Sequence, residues 1–86
     1  MDDEILEQEP ETVNEPEPLV IETKGKWQMF EYMAKVKFEI GKTYKIQIQG
    51  DCMFAISKEK PTNGLKTNEI EYTKDSNNIL WIKTGG

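Results

Sequence analysis

Short runs of alternating apolar and polar residues are the feature that most restricts how this chain can fold. In "TYKIQIQ" the apolar side chains are Tyr44, Ile46 and Ile48, with lysine or glutamine between them. "KVKFEI", "EIEYT" and "NILWIKT" repeat this period of two, and "LVIET" and "MFAIS" are short apolar runs. Because successive side chains of a strand point to opposite faces, such runs predict half-buried β-strands.

Residues typical of turns separate these runs. Glycine does so at Gly25, Gly41 and Gly50, and "PTNG" and "DSNN" do so later in the chain. The "DSNN" segment lacks the glycine and the terminal glutamate of a calcium loop, so we expect a hairpin turn there. A strand and a turn about every ten residues, without a long helical pattern, predict an all-β fold: a small antiparallel β-sandwich or jelly-roll-like barrel.

The segment "WQMFEYMA", residues 27–34, fits two structures. It contains no β-branched residue, and Met29, Phe30, Met33 and Ala34 would share one face of a short helix. Its aromatic residues favour a strand instead, with a bulge near Met33.

The apolar positions of the alternating runs predict the hydrophobic core. The expected core residues are Val20, Val36, Phe38, Tyr44, Ile46, Ile48, Phe54, Ile56, Ile70, Tyr72, Leu80 and Ile82.

Charge divides the chain into an acidic arm, residues 1–18, and a β-domain, residues 19–86. The arm holds eight of the sixteen acidic residues and no basic residue, whereas the β-domain has a net charge of about +3 (11 − 8). The arm also contains three of the four prolines, a composition that cannot bury enough surface to fold alone. We expect it to be disordered or extended, either as a solubilising tail or as a segment that orders on a basic partner.

The small size of the chain suggests that its fold needs outside support. A domain of 86 residues has an unfavourable ratio of surface to volume, and one cysteine without any histidine provides neither an intramolecular disulfide nor an ordinary zinc site. We therefore expect a homo-oligomer or a chain docked on a larger protein. No run approaches the roughly 20 apolar residues of a membrane span, and the acidic N-terminus does not resemble a signal peptide, so we expect neither membrane insertion nor export.

No arrangement of residues points to catalysis. A nucleophilic Cys52 would need a general base, and without histidine a buried structural cysteine is the expectation. Glu69 and Glu71 share a strand face, but a solvated outer face explains them equally well. The sequence therefore predicts a protein that is not an enzyme, with no cofactor and no metal.

The aromatic and basic residues suggest two binding functions. Trp27 and Trp81 are candidates for a carbohydrate-stacking platform, although core burial explains both. Lysines beside aromatic rings suit a nucleic-acid groove, but the small positive excess and the absence of arginine make nucleic-acid binding unexpected.

The span from Leu19 to Thr84 resembles the small all-β accessory proteins of tailed-phage virions. The resemblance lies in a glycine-bounded strand, "GKTYKIQIQG", followed by "MFAIS", a "KPT" turn, "EIEYT" and a terminal "LWIKT". It implies an oligomeric, non-enzymatic head decoration, collar or fibre-attachment protein, located in the virion and made in the host cytoplasm. The implied partner is a capsid, portal, collar or fibre protein.

The acidic arm is the expected attachment element of such a protein. Ile5 and Leu6 are its apolar anchors, and its acids would steer it to a basic patch. The predicted partner-binding residues are Asp2, Asp3, Glu4, Ile5, Leu6, Glu7, Glu9 and Glu11. Two alternatives stay open: a carbohydrate-binding β-module that uses the tryptophans, and an acidic inhibitor whose arm imitates nucleic acid and blocks a host nucleic-acid-binding protein.

Overall fold

Seven strands and one short helix follow each other along the residues that the computed structural model describes, 11–12 and 19–85. They are β1 (Glu11–Thr12), β2 (Gln28–Met29), α1 (Phe30–Ala34), β3 (Thr43–Gln47), β4 (Cys52–Ser57), β5 (Leu65–Lys66), β6 (Glu69–Thr73) and β7 (Ile79–Thr84). One sheet has the order β1–β3–β6 and the other has the order β2–β7–β4–β5. All these pairings are antiparallel except that of β1 with β3. The predicted all-β class is confirmed.

Among the described strands, only β4 and β5 are consecutive in the same sheet, and each of the five other steps, including that from β6 to β7, changes sheet. The expectation of a hairpin turn at "DSNN" is therefore wrong, because the strands on its two sides belong to different sheets. The segment is still a turn: the Asn77 amide donates to Asp75 Oδ1 over 2.9 Å. The polar composition of this segment predicts a change in the direction of the chain, but it does not indicate which strands pair.

The alternating runs of β3, β6 and β7 supply most of the core. Eight of the expected core residues are buried: Phe38, Tyr44, Ile46, Ile48, Phe54, Tyr72, Leu80 and Ile82. Val36 and Ile70 are partly buried against them. Phe38 lies among aromatic neighbours, with its ring centroid 4.3 Å from that of Tyr44 and 5.8 Å from that of Phe30.

Two expected core residues are exposed, and the core cluster contains two residues outside the expected set, Phe30 and Cys52. Val20 is 76% exposed, because Leu19 turns its side chain towards the core and the next residue points away. Ile56 is 48% exposed although it lies on the core side of β4, near the strand's end. Phe30, which the strand interpretation of residues 27–34 did not select, is fully buried.

The strand predicted over residues 27–34 is wrong beyond Met29. β2 ends there, and α1 buries Phe30. The run "KVKFEI" is not a strand either, because Glu31 takes up its backbone donors. The Val36 amide donates to the Glu31 carbonyl over 3.1 Å, and the Phe38 amide donates to Glu31 Oε1 over 3.4 Å. The first of these bonds closes the C-terminus of α1, with Lys35 in the left-handed conformation at φ 58°.

The predicted strand "LVIET" is reduced to one bridge, between Leu19 and Ile48. The chain after it is fastened to β7 by a buried pair of threonines. The Thr23 amide donates to Thr84 Oγ1 over 2.8 Å, and the Thr84 amide donates to Thr23 Oγ1 over 2.7 Å. These bonds tie the beginning of the β-domain to its last strand.

Candidate functional site

The acidic arm is attached to the β-domain by backbone pairing with β3. Glu11 pairs with Tyr44 and Thr12 with Lys45 in a parallel register. The Leu19 amide then donates to the Gln47 carbonyl over 3.0 Å, and the Gln49 amide donates to the Leu19 carbonyl over 2.8 Å. β3 therefore holds two points of the N-terminal segment along the same edge.

Of the predicted arm residues, only Glu11 lies within the part of the chain that the structure describes. Asp2, Asp3, Glu4, Ile5, Leu6, Glu7 and Glu9 lie outside it. The backbone of Glu11 belongs to β1 and pairs with Tyr44, so this point of the arm lies against β3. The pairing of β1 was not predicted, because a two-residue strand among acids and prolines has no recognisable alternation.

The two tryptophans lie on the outer face of the β2–β7–β4–β5 sheet. Gln28 pairs with the fully buried Ile82, so the neighbouring pair of Met29 and Trp81 points away from the core. By the same alternation Trp27 lies on the side of Met29, and it does not belong to the core cluster.

The ring of Trp27 is covered although it lies on the outer face. Its exposed fraction is 8%, the Lys83 ammonium lies 5.7 Å from the ring centroid, and the ring packs so tightly on Gly64 that a Cβ there would collide with it. Trp81 is half-buried, and its Nε1 donates to the Ser57 carbonyl over 3.1 Å. Little of the Trp27 ring is therefore available to stack on a sugar. Of the two tryptophans, Trp81 has the more accessible side chain.

Cys52 is held at the start of β4 as a hydrogen-bond donor. Its side chain is buried, and Sγ donates to the Thr67 carbonyl over 2.9 Å. Burial and the nearby charge of Asp51 raise the pKa of this thiol. Since the thiolate is the reactive form, these surroundings favour a structural role.

A groove of about 370 Å³ opens beside Cys52 at the ends of β4, β5 and β7. Lys66 and Lys83 flank Met53 across the sheet, and Asp51 lies at the rim. Within the described residues, no group of three or more His, Cys, Asp or Glu side chains could hold a metal ion. The groove is thus mildly basic, and the apolar side chain of Met53 lies between its two lysines.

Two apolar side chains on the core side of this sheet stay exposed at its edge. Leu65 pairs with the buried Phe54, and Ile56 lies two residues beyond Phe54 on the same face of β4. Leu65 is 63% exposed and Ile56 is 48% exposed. We name this pair the apolar ledge. Sequence reasoning missed Leu65, because β5 is only two residues long and follows a turn.

Comparison with known proteins finds no matching family model, no matching curated protein and no matching solved structure. Among residues 11–12 and 19–85, no helix has the length and apolar character needed to cross a membrane.

Proposed function

We propose that this chain is a non-enzymatic structural component of a phage virion, of the head decoration, collar or fibre-attachment kind. In this proposal the β-domain is the oligomeric body, and the acidic arm docks it on a capsid, portal, collar or fibre protein.

The pairing of β1 with β3 is the observation that carries the proposal. Residues 1–10 contain five acids and no base, and they are followed in the chain by Glu11–Thr12, whose backbone pairs with β3. A charged segment that starts from a fixed point on a folded body loses less freedom on binding than one on a loose linker. Its charge would steer it to a basic surface and make the contact sensitive to salt.

The exposed apolar side chains support an assembly role. Besides the apolar ledge, Val20 is 76% exposed, Tyr32 is 70% exposed and Ile40 is 67% exposed. Single exposed apolar residues are normal, but this number on so small a body is typical of a surface that becomes covered in an assembly.

The proposal is tested with tailed-phage particles assembled from purified capsid, portal, collar and fibre proteins in the absence of this chain. Three forms of the chain are mixed with them and sedimented. They are the full-length chain, a chain that begins at Glu11, and a full-length chain whose acids in residues 1–10 are replaced by their amides. The cut is placed before Glu11 because removal of residues 1–18 would also take away β1 and expose the edge of β3.

The full-length chain should sediment with the particles, and both altered forms should remain in the supernatant. A matched control, Glu59→Gln with Glu71→Gln, removes two exposed charges from the β-domain and should bind normally. Equal binding by the chain that begins at Glu11 would overturn the role of the arm. Failure of the full-length chain to bind any such particle would overturn the virion function.

A further inference from the structure

Within residues 11–12 and 19–85, β5 is an open edge of the β2–β7–β4–β5 sheet, and part of its backbone points outward. The Thr67 amide donates to the Cys52 carbonyl over 3.1 Å, so residues 65 and 67 direct their backbone groups towards β4. Because this direction alternates along a strand, Gly64 and Lys66 direct their N–H and C=O groups outward.

Strand β6, an edge of the β1–β3–β6 sheet, is protected by charge. The Ile48 amide donates to the Asn68 carbonyl over 2.8 Å, and the Lys74 amide donates to the Lys42 carbonyl over 3.0 Å. By the same alternation, Glu69, Glu71 and Thr73 direct their backbone groups outward. A second β6 strand in antiparallel pairing about Ile70 would place Glu69 opposite Glu71, and like charges opposite each other destabilise a sheet.

We propose that β5 pairs with β5 of a second copy of this chain in an antiparallel, two-fold symmetric contact centred on Leu65. In this register Gly64 of each copy lies opposite Lys66 of the other. The outward N–H and C=O groups of these two residues then meet as hydrogen-bonded pairs. Lys66 faces a residue without a side chain and not a second Lys66, so the register brings no direct lysine–lysine pair.

The apolar ledge explains why this edge attracts a partner. The Leu65 side chains of the two copies form the central pair, which lacks hydrogen bonds and therefore has the closest approach in an antiparallel sheet, about 4.5 Å between Cα atoms. Ile56 lies on the same face of the neighbouring strand, so the two ledges join and cover each other. The contact would join the β2–β7–β4–β5 sheets of the two copies into one continuous sheet.

This inference deepens the proposed function by describing how the β-domain would self-associate. Only the location of the dimer in a virion rests on the proposed function. Self-association is measured on the purified chain without any particle, so its failure is distinct from a failure of docking. Sedimentation equilibrium over about a hundredfold range of concentration should show a monomer–dimer equilibrium. A wild-type chain that stays monomeric over the whole range would overturn the proposal.

Two substitutions of exposed side chains give the position of the contact. Leu65→Asp places a charge at the centre of the contact and should raise the dissociation constant at least about tenfold. Val20→Asp, a matched change at the more exposed Val20, should leave it unchanged. Equal dissociation constants for the two variants would contradict the proposed position.

A cysteine experiment tests the register. Leu65→Cys is made in a Cys52→Ser background, because serine keeps a donor for the Thr67 carbonyl. Two such cysteines directly opposite each other lie within disulfide reach. Mild oxidation should therefore give covalent dimer at least about tenfold faster than it does for Glu71→Cys in the same background, on the edge β6. Equal or slower dimer formation by Leu65→Cys would refute the register.

Discussion

The hydroxyl of Tyr72 should make the stability of this protein fall at alkaline pH in a predictable window. Tyr72 is 1% exposed, and its hydroxyl donates to Asn78 Oδ1 over 2.9 Å. Burial, assisted by the charges of Glu31 and Asp75, raises the pKa of Tyr72 from 10.0 to about 12. The folded protein thus keeps this proton more tightly than the unfolded chain does.

The sign and size of the effect follow from linkage. Because the pKa of the folded state is the higher one, the stabilisation is complete below pH 10 and is lost as the pH rises through 12. A difference of about two pKa units corresponds to roughly 3 kcal/mol in total, of which about half is lost by pH 11. The lost stability reflects the difficulty of placing a phenolate inside the core.

Urea unfolding from about pH 8 to pH 11, for the wild-type chain and for Tyr72→Phe, measures this loss. Tyr72→Phe should be less stable at neutral pH by about 1 kcal/mol, because the hydrogen bond to Asn78 is absent. The difference between the two proteins should then shrink, and it should change sign near pH 11. Other titrating groups affect both proteins alike and cancel in the comparison. Two pH profiles that run parallel over this range would refute the reasoning.

Three further predictions concern stability and reactivity. Lys35→Gly should raise the free energy of unfolding by about 0.5–1 kcal/mol, because Lys35 has a positive φ, which glycine adopts more readily. Lys37→Gly is the exposed control and should bring no gain, and thermal unfolding measures both variants. Phe54→Ala should lower the stability by about 3–5 kcal/mol and Ile56→Ala by less than about 1 kcal/mol in urea titrations, and similar losses would contradict the burial difference between them. Cys52 should react with a thiol reagent only at the rate of unfolding, since its side chain is buried and its pKa is raised; rapid reaction of the folded chain would contradict this.

Periodicity predicts which face of a strand is buried, and it did so correctly where a partner strand exists. In β3 and β6 the pairs Tyr44 with Tyr72 and Ile46 with Ile70 carry the alternation that the sequence displays. The same alternation in "KVKFEI" does not produce a strand. Its period fits a sheet, but the backbone amides of Val36 and Phe38 donate hydrogen bonds to Glu31. Glu31 lies in helix α1, and the sequence indicated a helix there only as one of two alternatives.

Local sequence does not show which elements cover a strand, and for this reason Ile56 and Leu65 could not be placed correctly. The period of β4 puts Ile56 on the core side, and the register puts it there as well. Whether Ile56 is buried depends on how far the opposite sheet extends, and that extent is set by strands distant in the chain. Leu65 has the same difficulty, and β5 is also too short to show any period.

The contrast between the edge strands β5 and β6 links these observations to the proposed assembly. A soluble chain that remains alone must protect every open strand, and β6 does so with Glu69 and Glu71. On β5, Leu65 is instead exposed on the core side next to a glycine, and nothing among the described residues covers it. Strand β5 is therefore protected only by its short length. When the chain is alone, the apolar side chains beside β5 stay in contact with water, and their burial does not contribute to stability. A contact that covers Leu65 and Ile56 would recover that burial, and buried apolar area is the main source of stability open to so small a β-domain.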